Sequence, residues 1–429
     1  MKQKLSTVEH LIDGNITCLV SVDGCLSLGR LRCALDRVQR KHPALRALIR
    51  QENGELYYEA DTAGPIPLRL VEIRSDDDGA REREAELTVP IPHYQPQLRV
   101  VWMRSGPVNE LLVTTSHRIC DGMSVLILVR EILKSVYSDE TLVPYPPLTL
   151  HNIIGDLRDE GLLKRQRAAR FINTAVSLVP GSRKRVENKE IYREWSASQG
   201  LSATLKQRCK LEGVSMHTAL LAVLDKALHA TFGRQAPAWI DSPFDGRRGR
   251  LSMIKSDMLF FSGGSFKIKT GQNDTTDFWT RAREIHEEVQ LKIEQELVNI
   301  PRKHQLFEMI KVPSARKMRS IVRLQNVLRG RGNRRVFSFS NLGNIHVLDE
   351  DAPFALKDFR LFVHSFVVRL LGIMAYSLHG QLRFIYLGDE KCLSHADIDA
   401  LQRQFMTLLE THAGQHALVS EPHHRNWQR

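Results

Sequence analysis

"ELLVTTSHRICDGMSVLILVREILKSVY", residues 110–137, holds the decisive reading of this chain. Residues 111–115, Leu-Leu-Val-Thr-Thr, are apolar or β-branched, and the stretch 110–116 predicts a strand. Met123 to Tyr137 carries apolar residues at helical spacing and predicts a helix that begins just after Gly122. Between the two, His117 stands four residues before Asp121, and Gly122 follows. A side chain at a strand end, in front of a helix, projects from a rigid scaffold. Histidine is the natural general base near neutral pH, because its ordinary pKa of about 6.5 leaves neutral imidazole well populated. Asp121 would hold the loop by an ion pair or backbone hydrogen bonds, and Gly122 would let the chain reverse tightly into the helix. The same residues also read as a surface histidine before an Asp-Gly turn that caps a helix. Cys120 reads better as a small thiol filling the turn than as a nucleophile.

Working outward, "PQLRVVWMR" (96–104) and residues 110–116, separated by a Gly106-Pro107 turn, predict an antiparallel pair. Within residues 27–50 a helix is predicted with Ser27 as N-cap and Pro43 marking its end, and "HPALRALI" then switches towards strand. "GELYYEA" (54–60) and "LRLVEI" (68–73) read as strands. Three prolines in "DETLVPYPPLTL" (139–150) break the pattern, and a hinge is placed at about 150–195. Beyond it, residues 213–233 predict a helix capped by Ser215 and Gly233. Residues 258–269 read as a strand interrupted by Gly263-Gly264, 274–297 as a long helix, 334–345 as a strand, and Ser394 to His412 as a final helix. Strands and helices mixed without regular alternation indicate an α/β architecture with mixed sheets.

At 429 residues the chain is long enough for two hydrophobic cores, which places one half at 1–170 and the other at 171–429. Its 42% hydrophobic and 26% charged residues are ordinary for a globular protein. The six cysteines form no CxxC pair and no metal-ligand spacing, so no disulfide framework, no metal and a reducing cytoplasm are expected. No signal peptide and no membrane span are read, the longest apolar runs being far too short to cross a bilayer. The net charge is +12, but the basic residues are widely spread and no nucleic-acid motif accompanies them. One stretch stands apart. From Lys311 to Arg335 there are nine basic residues and no acidic one. It reads either as a solvated helix face or loop, or as a docking surface for an anion: coenzyme A phosphates or an acidic carrier protein, with Arg316, Lys317, Arg319 and Arg334 as the contacts.

"SHRICDG" (116–122) resembles the HHxxxDG motif of the superfamily that holds chloramphenicol acetyltransferase, condensation domains of nonribosomal peptide synthetases and polyketide-associated O-acyltransferases. The resemblance extends to "ALDRVQRKHPALRALI" (34–49), "EGVSMHTALLAVLDKAL" (212–228), "DGRRGRL" (245–251) and "SFSNLGNI" (338–345). These landmarks follow the family's order from residue 5 to about 412. The last of them is similar to the stand-alone acyltransferase branch.

The resemblance implies two chloramphenicol acetyltransferase-like halves forming a V-shaped pseudo-dimer around a central channel. It places the family's catalytic histidine on His117, and puts Ser116 where most members have another histidine. It implies that Asp121 pairs with an arginine of the second half, with Arg247 the best match and Arg248 the alternative. Gly122 would leave room for a pantetheine arm and offer its N–H near the reacting carbonyl. Ser340 or Asn341 would line the substrate, although "SNLG" also reads as an Asx-type turn after a strand. The implied activity moves an acyl group from a thioester, either acyl-coenzyme A or an acyl or peptidyl carrier protein, to a small-molecule alcohol or amine. The phosphopantetheine thioester is then a co-substrate, and no bound cofactor is expected. A monomer is expected, with no nucleic-acid partner. The alternative is a non-catalytic condensation-like module that recruits a carrier-bound intermediate or a partner enzyme.

Overall fold

The strand Gly14–Asp23 alternates Ile16, Cys18, Val20 and Val22 on one face with Thr17, Leu19 and Ser21 on the other, and both faces are covered. In the computed structural model, residues 2–414 are described except 54, 106–107, 148–149, 183–189, 248–250, 252, 262, 272–276, 330–335 and 367–369. This strand lies inside a five-stranded sheet ordered Ala355–Ser365, Gly14–Asp23, Val108–Ser116, Leu98–Ser105, Leu68–Glu72. The last pair is parallel and the other three are antiparallel. Helices Leu28–Lys41 and Gly122–Tyr137 send Leu31, Leu35, Val38, Val125, Leu128 and Ile132 onto the face carrying Ile16 and Val20. The opposite face, with Leu19, Val101 and Leu112, packs beside Val71 and Ile73 and is covered by the helix Asp76–Thr88, whose Glu86 carbonyl accepts from Asn15 and Thr17.

The second sheet has six strands, ordered Ser265–Lys269, Trp239–Pro243, Val336–Asn344, Leu371–Leu378, Gln381–Asp389, Glu190–Ser196. It mixes parallel and antiparallel pairs. Its strand Leu371–Leu378 joins the two cores by alternation. Ile373 and Ala375 face the helices Met216–Phe232 and His395–Gly414, while Met374, Tyr376 and Leu378 face the first half. A slip of one residue would exchange the two sets. The Tyr376 hydroxyl also donates to the Phe359 carbonyl at 2.8 Å.

The two halves are not separable along the chain. Strand Ala355–Ser365 leaves the second half and pairs with Gly14–Asp23 at the edge of the first sheet. Gly14 is needed there, because a Cβ would lie 2.2 Å from the His364 carbonyl oxygen.

Two sequence expectations are corrected. Residues 258–261 and 263–264 are not strand; the strand begins at Ser265, after Gly263 turns with φ +61°. The long helix expected to end near 297 runs over Phe278–Met309 and through Pro301. That proline forgoes the bond to the carbonyl four residues earlier and its ring crowds that carbonyl, a cost set against the burial of Leu297, Ile300 and His304 around it.

Candidate active site

Ser116 ends the strand, paired with Asn15 and buried. The next residue, His117, donates its backbone N–H to the Gly14 carbonyl at 2.9 Å, so the loop is anchored to the neighbouring strand. The His117 ring is tethered from below: Nδ1 lies 2.8 Å from the Cys120 carbonyl oxygen. A carbonyl can only accept, so Nδ1 carries the proton and Nε2 presents its lone pair. Phe261 stands edge-on to the ring, with centroids 5.3 Å apart. Burial pushes the His117 pKa below the ordinary histidine value, against the opposing pull of the Cys120 carbonyl and Asp121.

Asp121 is engaged by groups other than the His117 ring. It is the N-cap of the helix Gly122–Tyr137, accepting from the Ser124 N–H at 2.8 Å and the Ser124 hydroxyl at 2.9 Å. Arg247, from the second half, grips both carboxylate oxygens, Nη1 to Oδ2 at 3.0 Å and Nη2 to Oδ1 at 3.1 Å. The same guanidinium donates to Asp245 Oδ1 at 2.9 Å, to the Ser124 hydroxyl at 2.5 Å and to the carbonyls of Met258 and Phe260 at 3.0 and 2.8 Å. Its side chain is 2% exposed. The alternative arginine, Arg248, lies outside the described residues.

Gly122 corrects one reading. It is not among the glycines with positive φ, so no tight reversal requires it. What requires a small residue is proximity: a Cβ there would sit 3.0 Å from Leu342 Cδ2. Leu342 is therefore the residue of the "SNLG" stretch that touches the motif. Asn341 uses its side-chain oxygen to accept the Gly343 N–H at 2.9 Å, an Asx-type turn, and Ser340 is half-buried in the strand. The start of the helix leaves the N–H groups of its first turn without carbonyl partners one turn earlier, a local concentration of donors beside His117.

Cys120 is fully buried, and burial pushes its thiol up to about 12, which fits a packing role. Arg118, the next residue after His117, lines the cavity between the halves and is held by the N-terminal helix. It pairs with Asp13 at 2.7 Å and donates to the Glu9 carbonyl at 3.1 Å.

Among the described residues a cavity of about 150 Å³ opens between the halves, beside this loop. Val8, Ala44 and Ile119 wall it from the first half, and Met258, Phe261 and His304 from the second. Phe261 thus touches both the cavity and the His117 ring.

The basic stretch turns out to contain the helix Ala315–Arg329. Lys317 donates to the carbonyls of Val176 and Ser177 at 3.3 and 2.6 Å, and Arg319 donates to the Ser182 carbonyl at 3.0 Å. Both side chains are thereby engaged at the end of the helix Leu162–Leu178. Arg316 is exposed, and Arg334 lies outside the described residues. Among the described residues, no group of His, Cys, Asp or Glu side chains is arranged to hold a metal, and no helix is long and apolar enough to cross a membrane.

Spacing alone missed Ser124, Asp245, Phe261 and Gly14. Asp245 could have been found, since it opens the same "DGRRGRL" segment that supplies Arg247. Phe261 and Gly14 carry no signal of their own; they matter only because the fold brings them to the loop.

A mixed-sheet α/β chain, with a histidine at a strand end and an Asp–Arg pair joining its halves, defines the chloramphenicol acetyltransferase-like class. The chain belongs to the condensation-domain family, whose pattern (Condensation domain) matches residues 10–259, more than half of its length. It is similar to nonribosomal peptide synthetase agiA of Aspergillus flavus, 24% identical over 276 residues, which make up 59% of this chain and 4% of that protein. Against cyclosporin synthetase simA of Tolypocladium inflatum it is 24% identical over 291 residues, 62% of this chain and 2% of the relative. The chain spans only a few per cent of the length of these curated relatives.

Among solved structures, it resembles the epimerization domain from the third module of tyrocidine synthetase B. That pair has a TM-score of 0.69 at 14% identity, with 97% of this chain and 96% of the other covered. Polyketide synthase associated protein 5 from Mycobacterium tuberculosis gives 0.65 at 15% identity, covering 96% and 98%. The TRI3 trichothecene 15-O-acetyltransferase from Fusarium sporotrichioides gives 0.66 at 10% identity, covering 95% of each chain. At these identities the structural likeness shows the fold. Membership of the family supports acyl transfer or condensation as the general class of chemistry.

Proposed function

We propose that this protein transfers an acyl group directly from a phosphopantetheine thioester, on coenzyme A or on a carrier protein, to an alcohol or amine, with His117 as the general base. The observation that carries this reading is the tethered imidazole. Nδ1 is tied to the Cys120 carbonyl, which leaves Nε2 as the free acceptor. The depressed pKa keeps that nitrogen unprotonated at neutral pH.

In the proposed step, Nε2 takes the proton of the attacking hydroxyl or amine as its heteroatom bonds to the thioester carbonyl carbon. The tetrahedral intermediate collapses, the C–S bond breaks, and the thiolate leaves with the proton returned from His117. No acyl-enzyme is required, because holding donor and acceptor in line makes the transfer effectively intramolecular. Helix-start N–H groups around Gly122 would stabilise the oxyanion. Asp121 acts as a positioning residue: bound by Arg247 and Ser124, it fixes the helix start and the loop that carries His117. The apolar cavity beside Phe261 would receive the non-reacting part of one substrate. Arg316 remains exposed for a phosphate of the donor.

The test is thiol release from acyl-coenzyme A donors of graded chain length, and from the same acyl groups on a carrier protein, with a pool of alcohols and amines present. Wild type is compared with His117→Ala. Release that depends on chain length and collapses in the variant supports the proposal. Equal release by wild type and variant removes His117 from the chemistry. No release from either donor type favours the non-catalytic module.

A further inference from the structure

The helix Leu162–Leu178 is built the wrong way round for a helix on a globular surface. It buries one side chain, Ala169. Its large apolar residues face outward instead: Leu163 is 65% exposed, Phe171 75% and Leu178 78%. Exposed Arg167, Arg170 and Thr174 share that face at helical spacing, with exposed Lys164 at its margin. Three isolated apolar residues on a surface would need no explanation. Three in one row, interleaved with cations, do.

The helix is not loosely attached. Arg165 donates to Gln305 Oε1 at 2.7 Å. Asn173 donates to the Met309 carbonyl at 3.0 Å and accepts the Lys311 N–H at 2.8 Å. The inner side therefore holds the helix on the long helix Phe278–Met309, whose His304 lines the cavity. At its C-terminal end sits the helix Ala315–Arg329, tied on by Lys317 and bringing exposed Arg316 and Leu324. No acidic residue occurs in 161–182 or in 311–329. Among the described residues, Lys164, Arg167, Arg170 and Arg316 have no ion-pair partner.

We infer that this face docks on an anionic lipid bilayer, with Leu163, Phe171 and Leu178 entering the headgroup region and Lys164, Arg167 and Arg170 meeting lipid phosphates. Two features favour a bilayer over an acidic protein. The apolar residues stand ~12 and ~10 Å apart along the helix axis and within roughly 80° of one another around it, one broad face that suits insertion into a flat surface. They also alternate with cations on one face, where an interfacial helix needs both apolar burial and attraction to anionic lipid. The inference goes beyond acyl transfer and stands whether or not His117 is a base. Its consequence is that the cavity is held close to a membrane.

The experiment is co-sedimentation of the full chain with phosphatidylcholine vesicles, with and without 30% phosphatidylglycerol, at low and high salt. Wild type is expected to pellet with the anionic vesicles alone and to be released by salt. Arg167→Gln/Arg170→Gln should lower the partition coefficient by roughly 25-fold, at about fivefold per charge. Phe171→Ser/Leu178→Ser should abolish binding while leaving the thermal midpoint unchanged. The inference is overturned by a wild type that fails to pellet with anionic vesicles, or by variants that pellet as wild type does. It is also overturned if these substitutions instead weaken binding to a purified acidic carrier protein, or dissociate a dimer seen by sedimentation velocity.

Discussion

Asp121 and Arg247 provide the sharpest test of how the site works. If Asp121 acted as a charge partner to His117, replacing it should cost far more activity than replacing Arg247. The geometry argues otherwise, since both carboxylate oxygens are taken by Arg247 and one also by Ser124. Asp121→Asn removes the charge but leaves Arg247 buried, with Asp245 as its remaining counter-ion at 2.9 Å. Arg247→Met removes the cation and orphans the Met258 carbonyl, while the Phe260 carbonyl keeps only the Ser124 hydroxyl at 3.1 Å.

Breaking one side of a buried pair costs about 3–5 kcal/mol. The residual partners, and the 19% exposure of the Asp121 side chain, place both variants near the low end, about 3 kcal/mol. That is roughly a 150-fold loss in the folding equilibrium, since 1.4 kcal/mol is about tenfold. Urea denaturation of the two singles and the double measures it, and the double should be far less destabilised than the sum. Thiol release by folded protein should fall by similar factors in the two singles, because both loosen the same loop. The reasoning is refuted if Asp121→Asn loses about a thousandfold in kcat/KM while Arg247→Met loses about tenfold or less.

Other outcomes follow from the same structure. His217 is held down to about 4 by burial, so the unfolded chain takes up a proton that the folded chain refuses. Its contribution is full above the ordinary histidine pKa of about 6.5 and is lost as pH falls toward 4. Replacing His217 with Gln should shrink the stability difference between pH 7 and pH 4.5 by about 2–3 kcal/mol in urea titrations. Because the His117 pKa is also depressed, the acid limb of kcat/KM should fall below the usual histidine range; a limb above it would contradict the assignment. Gly122→Ala meets the flexible ends of Leu342, at 3.0 Å, and Leu361, at 3.8 Å, and at the first helical position Ala gains less than the ~1 kcal/mol it gains in a helix interior. Its stability should therefore change by less than about 1 kcal/mol, whereas thiol release should drop if a substrate occupies that space. Iodoacetamide at pH 7.5, read by mass spectrometry, should label exposed Cys25 and Cys33 and spare buried Cys18, Cys120 and Cys209.

The sequence by itself determined the local elements around the motif loop and the helix caps. Strand and helix on either side of His117 follow from apolar spacing, and Ser215 and Gly233 cap the helix Met216–Phe232. Caps, prolines and periodicity are short-range signals that need no partner. The sequence also placed a histidine and an aspartate on one loop, because they are four residues apart.

Tertiary structure decided what those residues meet. Asp121 and Arg247 are separated by 126 positions, and no periodicity joins them. Only the fold could show that Gly122 faces Leu342 and that Phe261 stands against the His117 ring. Only the fold moved Ala355–Ser365 into the first sheet. It also drew Lys317 and Arg319 toward carbonyls at residues 176–182, which a run of cations read along the chain cannot reveal. Local propensity acts over a few bonds, whereas a site assembled from two halves depends on packing whose partners are set by the whole core.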